Sequence, residues 1–221
     1  MTTTSATRSR LRRRGVVFDG ISWRDYERIG RVFRDRPVRV NYDRGRLEIT
    51  TLSAKHESFK HLLGQLIVLL ALECGVSFRG FGSMTFKRRL KRRGLEPDEC
   101  YWIQNESAVR ETDRIDLETM PPPDLVLEIE ISRAALPRLS IYADLGVPEV
   151  WRFDGEKLSV LQLDGNRYVE QTRSRAFPFL DPSCLVDFWN RRHQGEAVVL
   201  REFQAWVRNQ IRLGWPNGGA H

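Results

Sequence analysis

"PPPDLVLEIEIS", residues 121–132, sets three carboxylates on a run that otherwise reads as a buried β-strand. Asp124, Glu128 and Glu130 share one parity with Val126, while Leu125, Leu127, Ile129 and Ile131 hold the other. Side chains alternate across a strand, so the acids point to one face of a sheet. An isolated buried carboxylate costs several kcal/mol or neutralises itself. The stretch therefore asks for positive charge nearby: a basic side chain, a metal ion, or both.

A second acid-bearing strand reads from "GLEPDECYWI" (residues 94–103), where Asp98 follows Pro97 at the strand start and Glu96 shares its parity. Glu57 stands in the first turn of the strongest helix. Magnesium takes oxygen ligands and is commonly held by one or two carboxylates plus substrate phosphate. Asp98 and Glu128, on neighbouring strands, supply such a pair. Each acid also has a plain structural explanation. Glu57 suits a helix N-terminus, and Asp98 and Asp124 suit turns and strand starts after proline. Glu130 could pair with Arg133 or Arg138.

Charge placement adds a partner. The chain of 221 residues carries 36 basic and 29 acidic side chains. Residues 1–14 hold five arginines and no acid, and "KRRLKRR" (Lys87, Arg88, Arg89, Lys91, Arg92, Arg93) adds six positive charges. Setting these eleven aside, 36 − 11 leaves 25 basic residues against 29 acidic, a mildly acidic body. Positive charge gathered into two segments suits a surface that meets a polyanion; a basic tail and a solvated loop would read the same way. Three scattered cysteines with no CxxC pair argue against a disulfide framework and fit a reducing cytoplasm. No segment reaches the roughly 18 apolar residues of a membrane span.

Along the chain, residues 1–15 read as a flexible basic arm, 16–213 as one domain and 214–221 as a tail. Ser22 caps a first helix. "VRVNYDRGRLEITTL" is a hairpin turning at Asp43-Arg44-Gly45. Residues 54–74 form a long core helix ended by Gly75. Strands around "SFRGFGSMTFKRRL" and "ECYWIQN" flank the basic turn. "PRLSIYADLG" is a short helix, residues 149–174 a three-stranded meander, and "EAVVLREFQAWVRNQIRLG" a final helix. This order predicts an α/β fold, a mixed sheet with helices on its faces. His56 and His61, five apart, do not share a helix face, and there is no GxGxxG, P-loop or GxSxG pattern.

"GLEPDECYWIQNE", "PPPDLVLEIEIS" and "IYADLGVPEVWRFDG" together resemble the Uma2 family, within the PD-(D/E)XK nuclease superfamily, over roughly residues 20–170. The resemblance implies a restriction-endonuclease-like domain with a four-stranded core sheet and a divalent-metal site where two strands diverge. It implies that the helix acid falls at Glu57, the Pro-Asp acid at Asp98 and the (D/E)-x-K acid at Glu128. The chain departs from the pattern at Glu130, which stands where lysine is usual. Many Uma2 sequences carry a lysine on the following helix, and here that position is Arg138. Arginine is no base at ordinary pH, but it can steady a phosphate or a developing negative charge.

The expectation is thus a Mg²⁺- or Mn²⁺-dependent endonuclease cutting phosphodiester bonds, in DNA first. Asp98, Glu128 and Glu57 would hold the metal, helped by a backbone carbonyl near Ile129. Glu130 would be a general base or second-metal ligand, Arg138 would assist, and Lys87 to Arg93 would grip the nucleic-acid backbone. A homodimer is a further expectation; a membrane partner is not expected. Two alternatives are a nucleic-acid-binding protein with a degenerate nuclease site and a non-enzymatic interaction protein whose acids pair with arginines.

Overall fold

The computed structural model describes residues 15–34, 36–131 and 134–215. The basic arm lies outside these except for Gly15, which opens strand β1 (Gly15–Phe18) and pairs with Thr50. Helix α1 (Trp23–Phe33) starts where the Ser22 hydroxyl accepts the Asp25 N–H at 3.1 Å. The hairpin forms as expected, from β2 (Val38–Asp43) and β3 (Arg46–Thr51). Arg44 and Gly45 both take positive φ, 46° and 102°, the geometry of a tight primed turn. Ser53 caps α2 (Ala54–Glu73) by accepting the His56 N–H at 3.2 Å.

The basic run proves to be part of a hairpin and not only a turn. It joins β5 (Phe86–Arg88) to β6 (Arg93–Leu95), after a two-residue edge strand β4 (Arg79–Gly80). Next come β7 (Glu99–Trp102), β8 (Leu125–Ile129), α3 (Arg138–Leu145) and the meander β9 (Glu149–Phe153), β10 (Leu158–Asp164) and β11 (Arg167–Gln171). A short helix α4 (Cys184–Asn190), not anticipated, precedes α5 (Glu196–Arg212).

The strands form two sheets in place of the single four-stranded core the resemblance implies. One is five-stranded and antiparallel, in the order β1-β3-β2-β6-β5; the other is six-stranded, in the order β11-β10-β9-β8-β7-β4. Its one parallel pair among the described residues, β8 with β9, is joined by α3, the crossover such a pair requires. Strand β8 is buried on both faces. Leu125, Leu127 and Ile129 pack with Phe59, Leu63 and Leu66 of α2, and Val126 packs with Ile141, Tyr142 and Leu145 of α3. Each such side chain contributes about 2 kcal/mol, enough to hold the strand central while it carries a charge. Glu128, on the parity of Val126, therefore enters the layer occupied by α3.

Candidate active site

Two sheets, the N-terminus of α2 and the N-terminus of α3 meet around Asp98. Its carboxylate is wholly buried: the Ile129 N–H donates to Oδ2 at 2.6 Å, while Oδ1 accepts no hydrogen bond and faces His56 Nε2 at 3.1 Å. The Arg39 guanidinium, 2% exposed, also forms an ion pair with Oδ1. Glu128 is matched in the same manner. Arg138 Nη1 donates to Oε2 at 2.6 Å, and the Tyr142 hydroxyl donates to Oε1. The positive charge that Glu128 demands is thus supplied by Arg138, and that for Asp98 by Arg39.

Sequence reasoning placed Asp98, Glu128 and Arg138 together, and the structure does the same. It missed Arg39, His56, Tyr142 and Glu48. Arg39 had a signal: with Asn41 it forms the polar parity of a strand whose other parity, Val40 and Tyr42, is apolar, and a strand buried on both faces turns such residues inward. Glu48, on β3 opposite Asn41, accepts the Ala135 N–H at 2.7 Å. Tyr142 and His56 carried no signal of their own.

Glu57 is not beside Asp98. The His56 ring stands between them, with Nδ1 3.1 Å from Glu57 and Nε2 3.1 Å from Asp98, and the Glu57 side chain is 45% exposed and 3.6 Å from Lys60. Both ring nitrogens therefore face acids, the arrangement of an imidazolium. Asp124 proves structural, since it accepts the N–H groups of Ile103 at 2.7 Å and Asn105 at 3.0 Å. Glu130 does not pair with Arg138. Arg138 goes to Glu128, Arg133 lies outside the described residues, and Glu130 sits 36% exposed with Arg152 Nε at 3.7 Å.

The two central carboxylates differ electrostatically. Burial works against ionisation of Asp98, but Arg39 and His56 outweigh it and hold the carboxyl well below the usual range. Burial pushes Glu128 up; Arg138 opposes this, and the charge of Asp98 adds to the rise. For His56 burial is likewise the adverse effect, overcome by its bond to Asp98, so its pKa lies above the ordinary 6.5.

A hollow of about 30 Å³, room for one or two waters, is lined by Arg39, Glu48, His56, Glu130 and Arg138, with Gly15 at its edge. On the far side of Glu130 and Arg138 lies a second hollow of about 280 Å³, walled by Leu136, Tyr142 and Val150 and rimmed by Arg152. Glu130 and Arg138 thus border both.

A sequence profile of the Uma2 family, described as "putative restriction endonuclease", matches residues 23–193. The chain belongs to the Uma2 family. No curated protein compared with it matches. The mixed sheet with helices on its faces is the restriction-endonuclease-like architecture that Uma2 membership carries, and it supports a nuclease-like role. The divalent cation expected at Asp98, Glu128 and Glu57 does not fit the side chains as arranged. Three of the four oxygens of Asp98 and Glu128 accept hydrogen bonds, and the fourth, Asp98 Oδ1, faces the cations Arg39 and His56. Glu57 is screened by His56, and no cluster of three metal-ligating side chains occurs among the described residues.

The basic hairpin of this Uma2 chain divides into exposed and buried charge. Lys87, Arg89, Lys91 and Arg92 are exposed, although Lys87 meets Glu27 at 3.5 Å and Arg92 reaches the Tyr42 hydroxyl at 3.3 Å. Arg88 is half-buried and donates to the Leu117 carbonyl at 3.0 Å. Arg93 is buried between Asp43 at 2.6 Å and Asp144 at 2.8 Å. It ties β6 to α3 and is removed from any nucleic-acid surface. Among the described residues no helix is long and apolar enough to cross a membrane.

Proposed function

We propose that this Uma2 chain hydrolyses phosphodiester bonds of nucleic acid, with DNA the first substrate to test, at the cleft where Glu130 and Arg138 border the two hollows. The observation that carries the reading is the buried Asp98–Glu128 pair on adjoining strands, flanked by Arg39 and Arg138, in a member of a nuclease family. Arg138, 17% exposed, is the guanidinium nearer the opening and would steady a phosphate. Glu130, 36% exposed and 3.7 Å from Arg152, would accept a proton from the attacking water. Asp98 would keep Arg39 and His56 in place. The exposed Lys87, Arg89, Lys91 and Arg92 would hold the backbone and set register without reading sequence. A divalent ion that enters only together with the substrate phosphate is part of this proposal, and none of these roles is routed through the ion.

Plasmid nicking with and without Mg²⁺ or Mn²⁺ tests it, using Asp98→Asn as the blank. Cleavage by wild type and none by the blank supports the reading; equal inactivity on DNA and RNA removes the hydrolase assignment. One observation favours a second reading: the pairing of each central carboxylate with an arginine suits a nucleic-acid-binding protein with a silent site. That protein would bind DNA in chelator as well as in metal, and Asp98→Asn would not alter its binding.

A further inference from the structure

The central side chains form a charge-balanced set. Asp98 and Glu128 face Arg39 and Arg138, two charges against two, each pair in ion contact, with both acids and Arg39 buried and Arg138 17% exposed. From the neighbouring elements Glu48 on β3 adds a negative charge and His56 on α2, set between Asp98 and Glu57, offsets it. A buried site with cancelled charge has little attraction for a further cation. Adding a divalent ion to this set would leave two uncompensated positive charges out of water, an arrangement that burial strongly penalises. The hollow beside it, about 30 Å³, also gives Arg39 little room to step aside.

We infer that Arg39 and Arg138 are the resident cations of this site, and that Asp98 and Glu128 accept a divalent ion only when guanidinium charge has been withdrawn from them. The inference deepens the nuclease reading and rests on it only for the kind of ion involved. Its physical content is an exchange of like charge. One Mg²⁺ or Mn²⁺ replaces the charge of two guanidiniums, so the set stays balanced if both leave and is in excess by one if a single arginine leaves.

The test is a Mn²⁺ titration of the full chain, read from loss of the free hydrated Mn²⁺ signal in electron paramagnetic resonance and from thermal unfolding in parallel. Wild type should take up no Mn²⁺ at millimolar concentration and show no rise in melting temperature. Arg39→Met and Arg138→Met keep side-chain bulk and remove charge; each should bind Mn²⁺ at least about tenfold more tightly than wild type, and the double variant more tightly still. Tyr142→Phe frees one Glu128 oxygen without changing charge and should gain nothing. If the arginine variants fail to fold, refolding in Mn²⁺ should recover them, because the ion supplies the missing charge.

Mn²⁺ uptake by wild type that Asp98→Asn abolishes would overturn the inference. So would folded arginine variants without gain, no recovery in Mn²⁺, or a gain in Tyr142→Phe. A wild type that cuts no nucleic acid would defeat the nuclease reading and leave this titration to stand by its own result.

Discussion

Arg39 on β2 and Asp98 before β7 face one another at the centre of the molecule, with side-chain exposures of 2% and 0%. They are 59 positions apart in sequence, and their meeting joins the five-stranded sheet to the six-stranded one. Breaking such a pair from one side strands a charge, which costs about 3–5 kcal/mol. Asp98→Ala should therefore lower the urea midpoint sharply, and Arg39→Met added to it should restore part of the loss. A double variant no more stable than Asp98→Ala would show that the two do not interact. Asp98→Asn, which keeps the side-chain shape and one acceptor oxygen, disturbs the packing less and is the better blank for activity.

Stability should peak in mildly acidic solution. Asp98 is depressed in the fold, so its contribution is present above its unfolded value near 3.8 and is lost as pH falls through the folded one. His56 is raised, so its contribution is complete below its unfolded value of 6.5 and is lost as pH rises through the folded one. Urea midpoints should be higher near about pH 5.5 than near about pH 8. His56→Gln should flatten that upper limb. An upper limb unchanged in this variant would assign it to another group.

The basic hairpin should split by burial. Neutralising Lys87, Arg89, Lys91 and Arg92 should weaken nucleic-acid binding and reduce the slope of log affinity against log salt by about one unit per lost phosphate contact. Arg93→Ala, in contrast, removes the partner of Asp43 and Asp144 and should act on the melting temperature. An unchanged salt slope in the four-residue variant would take this hairpin out of the interface.

What could be read from the sequence was whatever a local pattern encodes. The apolar alternation of β8, the Arg44-Gly45 turn, the serine caps of α1 and α2 and the glycine after α3 are all local, and all stand in the structure. Asp98 and Glu128 were legible because each acid interrupts an apolar strand. The partner of Asp98 was not, because an arginine on a distant hairpin announces no destination. Strand β1 was hidden by the arginines before it, and α4 by its seven-residue length and its lack of a side-chain cap. The basic run pointed outward by composition, whereas Arg93 points inward because β6 is flanked on both sides and α3 offers it Asp144.

Glu130 separates a working site from a silent one. It follows Glu128 by two residues on the same parity, yet it stands at the rim with Arg152 at 3.7 Å while Glu128 is sealed by Arg138 and Tyr142. Of the acids Asp98, Glu128 and Glu130, it alone is open to solvent. If it takes the proton of the attacking water, Glu130→Gln should abolish nicking while leaving DNA affinity within a few-fold, since shape and hydrogen bonding persist. Glu130→Lys places an ammonium beside Arg138 and Arg152, two like charges already present. The repulsion should lower the lysine pKa, which suits a base. Retained or raised nicking in Glu130→Lys would show that the position needs a proton acceptor of either kind; lost nicking would show that it needs negative charge. Equal nicking by wild type and Glu130→Gln, with Asp98→Asn inactive, would move the base elsewhere in the cleft.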